Sequence, residues 1–137
     1  MRIQFFSDLH LEFGPLPVPA TDADVCVAAG DIHVRDTAIE WLAQFRLPVV
    51  YVAGNHEFYT GETGAVRRRL RERSAAAGIH FLDDGAVILD GVRFLGTTLW
   101  TDFGGADAAL MALASRGMND YAQIHQDTAL LTPEQTL

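Results

Sequence analysis

The chain has 137 residues and a formal net charge of −8 with its histidines neutral. That length fits one domain or part of one, and 49% apolar residues are enough for a packed core and too many for a disordered chain. The negative charge argues against a broad nucleic-acid or membrane-binding surface, but it leaves room for a small phosphorylated substrate drawn to metal ions.

Residues 2–7 read as a first strand that runs straight into Asp8-Leu9-His10. No basic, apolar, small-residue leader pattern opens the chain and no apolar run is long enough to span a bilayer, so a cytoplasmic protein is expected. Gly14, Pro15, Pro17 and Pro19 make residues 11–22 a loop, because proline cannot donate to a strand ladder. Residues 24–29 form a second apolar strand that ends in Gly30-Asp31. Its Cys26 is the only cysteine, so no intrachain disulfide is possible, and mid-strand it reads as a small buried hydrophobe. Asp36 or Thr37 is placed to cap a helix over 36–46, whose face carries Ile39, Leu42, Ala43 and Phe45. Pro48 ends it, and the third strand follows at 49–53.

That third strand is organising. Val49-Val50-Tyr51-Val52 suits a strand covered on both faces, and Gly54 then allows a sharp turn into Asn55, His56 and Glu57. An open α/β sheet carries its chemistry outside the carboxyl ends of its strands. If the three strands are parallel neighbours, Asp8, His10, Asp31, Asn55 and His56 meet at one sheet edge.

A helix is expected from Glu62 to Ala77, with Gly78 just beyond it and a thin apolar stripe of Val66, Leu70 and Ala77. Arg67, Arg68, Arg69, Arg71 and Arg73 form the one basic patch, read as a solvated face in preference to an anion contact. Ile79 to Leu82, Ala86 to Leu89 and Val92 to Leu95 read as short strands of an antiparallel meander, with Asp90-Gly91 as a hairpin signal. Residues 105–115 are alanine-rich and helix-compatible. Thr132-Pro133 resembles a helix start, too close to the end of the chain to bury much.

Carboxylate, amide and imidazole side chains together suit intermediate divalent metals such as manganese, iron(II), zinc or cobalt. Each short motif alone is weak, but Asp-x-His, Gly-Asp and Gly-Asn-His-Glu in this order, each at a strand end, form a specific combination. In Ser7-Asp8-Leu9-His10, Ala29-Gly30-Asp31 and Gly54-Asn55-His56-Glu57 the chain resembles the calcineurin-like metallophosphoesterase superfamily, bacterial members in particular. The resemblance implies a two-sheet α/β sandwich with helices outside and a phosphoesterase with two metal ions. It implies that Asp8 and His10 bind the first metal, that Asp31 bridges both and that Asn55 binds the second. His56 would stand near the leaving-group oxygen as an acid or a polarising donor, with Glu57 as support.

The superfamily pattern also includes later histidine ligands and a closing Gly-His-x-His, and neither occurs in this chain. The expectation is therefore a single domain over 1–137 that is incomplete at its C-terminus. Its second metal site would be short of ligands, and the apolar face of its second sheet (Ile88, Phe94, Leu99) under-covered. Phosphomonoesters and diesters, cyclic nucleotides and dinucleotides all fit this apparatus; the low pI disfavours long nucleic acid without excluding it. The competing expectation is a non-catalytic remnant that binds one metal weakly or none and needs a partner for the missing half. A dinucleotide-binding protein is disfavoured, because no Gly-x-Gly-x-x-Gly follows the first strand.

Among lesser candidates, His33 could line the site or stand as a polar residue before the following helix. Glu12 could orient His10 or lie on the surface. His80 reads as structural, and His125, near Asp120 and Asp127, as a possible ligand outweighed by a surface role. Trp100 and Asp102 belong to a loop near the pocket or to packing.

Overall fold

The computed structural model describes residues 1–137. Four strands, β1 (Ile3–Phe6), β2 (Val25–Ala29), β3 (Val49–Val52) and β4 (His80–Phe81), form one parallel sheet in the order β1-β2-β3-β4. Helix α1 (Ala38–Leu42) connects β2 to β3 and helix α2 (Thr63–Ala76) connects β3 to β4. Each connection moves the chain one place in the same direction across the sheet. Right-handed crossovers that all step the same way lie on the same face. Ile39, Trp41 and Leu42 of α1 and Val66 and Leu70 of α2 accordingly share one core with Cys26, Ala28, Val49 and Tyr51.

The alternate residues of those strands face the other way. Val25 and Val50 pack with Leu82, and around them lie Val27, Val52, Val87, Leu89 and Phe94. The last three come from an antiparallel hairpin, β5 (Gly85–Leu89) and β6 (Val92–Gly96), which lies on the face the helices leave free. Its turn residues Asp90 and Gly91 have φ of 47° and 79°, the left-handed pair that matches strand twist. The result is a mixed α/β fold of a parallel sheet, a small separate antiparallel sheet and helices. The second sheet stops at two strands, leaving Ile88, Leu95 and Leu99 62%, 77% and 89% exposed, while Phe94 is half-buried.

Several local expectations are corrected. Residues 79–82 do not open an antiparallel meander: β4 pairs in parallel with β3, Val50 opposite His80 and Tyr51 opposite Phe81. The crossover through α2 delivers the chain there, and the Leu82 N–H bonds to the Tyr51 carbonyl at 2.8 Å. Helix α1 is shorter than 36–46, and neither Asp36 nor Thr37 caps it through a side chain. Phe45, beyond its end, still packs edge-on against Trp41 and stacks with Phe6. On α2 the buried stripe is Val66, Leu70 and Ser74, while Ala77 is exposed. Glu62 caps this helix by accepting from the N–H groups of Gly64 and Ala65 at 2.9 and 2.7 Å.

The arginines of α2 are not simply solvated. Arg69 and Arg73 both reach the buried Asp36 carboxylate, at 3.0 and 2.8 Å, and Arg71 reaches Asp83 at 3.0 Å. The side chains therefore tie α2 to the start of α1 and to the loop after β4.

Beyond β6 come α3 (Phe103–Ala106), α4 (Ala108–Gly117), α5 (Asp120–Gln123) and a small hairpin of β7 (His125–Gln126) and β8 (Ala129–Leu130). Gly104 and Gly105 are left-handed inside α3, so it is an irregular turn. Asp107 caps α4 through the N–H groups of Ala109 and Leu110. The closing turn, Pro133–Thr136, buries Pro133, and Leu131 just before it joins the main core, more than its length led one to expect. No helix is long and apolar enough to cross a membrane.

Candidate metal centre

The ends of β1, β2 and β3 converge because their loops are bonded to each other. The Asp8 N–H donates to the Gly30 carbonyl at 3.1 Å, and the His10 N–H to the Asp31 carbonyl at 3.0 Å. Between β2 and β3 the approach is closer. A Cβ on Gly30 would lie 2.8 Å from the Gly54 nitrogen, and one on Gly54 would lie 2.2 Å from Asp31 Oδ1. Glycine is required at both positions so that the Asp31 carboxylate can lie over the turn after β3.

Glu57 clamps the same two loops from below. It is fully buried, and its oxygens accept from the N–H groups of Asp31, Ile32 and Gly54 at 3.0, 2.9 and 2.8 Å and from the Tyr51 hydroxyl at 2.9 Å. Burial pushes its pKa up; the Ile32 N–H, the Tyr51 hydroxyl and the Gly54 N–H oppose that rise. With both oxygens each accepting two donors, no lone pair is left for a proton, so the geometry is that of a carboxylate. Glu57 therefore fixes the loops that carry Asp31 and Asn55.

Three site residues hold strained backbones: Asp8, His10 and Asp31 have φ of 53°, 46° and 54°. The left-handed region is sparsely used by residues with a Cβ, though Asp, Asn and His enter it more readily than most. Donor atoms of Asp8, His10 and Asp31 lie within 4.8 Å of one another, two carboxylates and an imidazole. One Asp31 oxygen, Oδ1, also accepts the His56 N–H at 2.9 Å, which fixes the carboxylate.

His56 joins the same group. Its ring lies 4.3 Å from that of His10, edge to face, and stacks on Tyr59 at 4.2 Å. Glu12 stands between the histidines, with Oε1 2.8 Å from His56 Nδ1 and 3.3 Å from His10 Nδ1. Burial works to raise the Glu12 pKa, but hydrogen bonds from its own backbone, from His56 and from His10 hold it below the usual value.

Asn55 follows the same turn, and its side chain is oriented by Asp120. Nδ2 donates to Asp120 Oδ1 at 2.6 Å and lies 3.4 Å from the Tyr59 hydroxyl. An ionised carboxylate only accepts, so the amide nitrogen must face Asp120 and Oδ1 is the atom left for another partner. Burial, then the negative charge of Asp120, pushes the Tyr59 hydroxyl up to about 12.

The structure thus brings Asp8, His10, Asp31 and His56 together, with Asn55 on the same turn. It does not bring His33 into the group. His33 instead lines a separate hollow with Leu16, Trp41 and Gln44, its Nδ1 buried and unpartnered. His80 is half-buried in β4, and His125 is exposed in β7, where its N–H bonds to the Gly61 carbonyl. Trp100 packs beside Phe58, and the Asp102 carboxylate accepts the Gly104 N–H. The Glu12–His56 contact, Asp120 and Tyr59 were not read from sequence. Only Glu12 gave a signal there, its spacing of two from His10.

A model of the calcineurin-like phosphoesterase family matches residues 1–128. The chain belongs to that family. No curated protein and no solved structure matches it. Family membership brings divalent metals and phosphoester substrates as the general class, and the donor set fits such an ion: two carboxylates and an imidazole converge, the type that intermediate divalent metals prefer.

Proposed function

We propose that this chain is a metallophosphoesterase domain acting on a small phosphorylated substrate, a phosphomonoester or diester, through a binuclear centre. The observation that carries the reading is the convergence of Asp8, His10 and Asp31 donors within 4.8 Å beside His56. Asp8 and His10 would hold a first ion, Asp31 would be shared with a second, and Asn55 would offer Oδ1 to that second ion. When bound, such a pair supplies a nucleophile at neutral pH and withdraws charge from the phosphoryl oxygens.

The chain's own residues do the rest. The His56 main chain fixes the bridging carboxylate, and its imidazole delivers a proton to the departing oxygen. Glu57 and the two glycines keep the ligand loops at their spacing. Manganese, iron(II), zinc and cobalt all suit the donors.

The ligand count is unequal. The first ion has three protein ligands, Asp8, His10 and Asp31. A second would have only Asp31 and a neutral amide, so this chain's residues would hold it weakly. Residues 1–137 are accordingly expected to bind one manganese or zinc ion in calorimetry and to hydrolyse an aryl phosphodiester slowly or not at all. Asp31→Asn removes that binding. A wild-type chain that takes up no divalent ion, or an Asp31→Asn variant that binds as well as wild type, would sink the reading. Brisk turnover by 1–137 that vanishes in Asp31→Asn would keep the function and overturn the ligand count.

A further inference from the structure

The Glu12 carboxylate lies between the two histidines with contrasting roles, one a metal ligand and one a proton donor. Glu12 belongs to a single 3-10 turn, Leu11–Phe13, anchored where the Leu11 N–H donates to the Ile32 carbonyl at 2.9 Å. The turn places Glu12 Oε1 against the Nδ1 atoms of both His56 and His10, at 2.8 and 3.3 Å. The second oxygen, Oε2, is buried with no partner. A half-satisfied buried carboxylate is a cost that folding alone does not require, and such groups call for an explanation.

We propose that Glu12 is the positioning residue of this centre, one carboxylate oxygen holding the Nδ1–H edges of His10 and His56 together. The proposal rests on the metallophosphoesterase reading and adds the group that couples its metal site to its proton donor. The chemistry follows from donor and acceptor types. A carboxylate only accepts, so both Nδ1 atoms carry hydrogen when they face it. Nε2 is then the nitrogen each ring has left, for a metal at His10 and for the reacting proton at His56. Without Glu12 each ring can rotate or change tautomer, and His10 can offer the wrong nitrogen. A carboxylate behind a ligating imidazole fixes the ring in this way and raises its basicity. Here one carboxylate serves two rings, whose centroids are 4.3 Å apart.

The test reads tautomers directly in metal-free protein. Long-range proton–nitrogen NMR spectra of the imidazoles are recorded for wild type, Glu12→Gln and Glu12→Ala at a pH where free histidine is neutral. In wild type, His10 and His56 should both show hydrogen on Nδ1. Glu12→Gln, which keeps a carbonyl acceptor, should preserve that form. Glu12→Ala should return both rings toward the free-imidazole mixture, with His33, His80 and His125 unchanged as internal controls of the fold. Hydrogen on Nε2 of either ring in wild type, or tautomers indifferent to Glu12→Ala, overturns the proposal. If Glu12→Ala does not fold, the wild-type spectrum decides alone.

A second readout is calorimetric. Manganese or zinc should bind Glu12→Ala about 10- to 100-fold more weakly than wild type, the usual cost of losing a partner behind a ligand. Equal affinity would overturn the coupling to the metal site. A wild-type chain that binds no metal yet shows the predicted tautomers would instead remove the phosphoesterase reading and leave the role of Glu12 in place.

Discussion

Asp8, His10 and Asp31 sit in left-handed conformations that cost of order 1–3 kcal/mol each in residues with a Cβ. Such strain persists only where the surrounding structure over-determines the conformation. Asp8 is exposed and the structure gives its side chain no hydrogen bond, so replacing it should relieve strain at no loss of contacts. Asp8→Gly is expected to match wild type or exceed it by up to about 1 kcal/mol in urea unfolding, while metal affinity falls. A loss of stability would show that the conformation is supported by side-chain interactions. Gly54→Ala tests the opposite case. The added methyl would meet Asp31 Oδ1 at 2.2 Å, so about 1–3 kcal/mol of destabilisation and displaced metal binding are expected. That Asp8, His10, Asp31 and Asn55 end up near one another at one sheet edge was legible in the sequence because each follows closely on an apolar strand. The pairings that orient them were not. Glu12 and His56 are 44 positions apart, and Asn55 and Asp120 are 65 apart. No local pattern connects residues at that distance.

At the scale of elements, α2 shows how a charge run can mislead. Five arginines in seven positions read as a wet surface, yet Asp36 and Asp83 each take two of them. Burial works to raise the Asp36 pKa, but the hydrogen bonds from Arg73 and Arg69 outweigh it and hold the carboxyl below its ordinary value. A carboxyl depressed in the folded state stabilises the fold above its unfolded pKa of about 3.9, and that contribution is lost as pH falls through the lower folded value. Asp36→Asn should therefore cost about 1 kcal/mol near pH 7, a modest figure because both guanidinium groups face solvent. The difference should shrink to nothing in strong acid, read from urea midpoints across a pH series. A constant difference at every pH would assign the effect to shape instead of charge. The hairpin was legible from Asp90-Gly91, and α2 from the spacing of Val66 and Leu70 and from Gly78 just beyond it. Strand β4 was not read as a parallel strand, because two residues carry no periodicity and their pairing depends on where the α2 crossover ends.

For the whole molecule, the stepwise order β1-β2-β3-β4 puts both crossover helices on one face and leaves only a two-stranded hairpin to cover the other. The parallel part was legible from the order of strands and helices, and the two-sheet plan came with the family resemblance. How far the hairpin covers that face depends on packing that no single segment encodes. Leu95 and Leu99 border a hollow that also includes Val52 and Ala86, and contiguous exposed apolar surface favours association. Sedimentation should show concentration-dependent self-association of the wild-type chain, weakened in Leu95→Glu/Leu99→Glu. The double substitution should leave unfolding midpoints within about 0.5 kcal/mol, since neither side chain is buried. A wild-type chain that stays monomeric at high concentration would show that the hairpin face is sufficiently covered as it stands.

Cys26 lies in β2 with no exposed surface, and burial pushes its thiol up to about 12. Alkylating reagents attack the thiolate, so the folded chain should be inert to them at neutral pH. β2 is paired on both sides, by β1 and by β3, and reaction must wait until the sheet itself parts. The native sequence therefore contains its own clock: mass gained per hour in iodoacetamide reports how often the centre of the protein opens. An ion that binds only the closed form slows that clock by a factor of 1 + [M]/Kd. Metal affinity can thus be read from a strand interior, with no substrate, dye or added label.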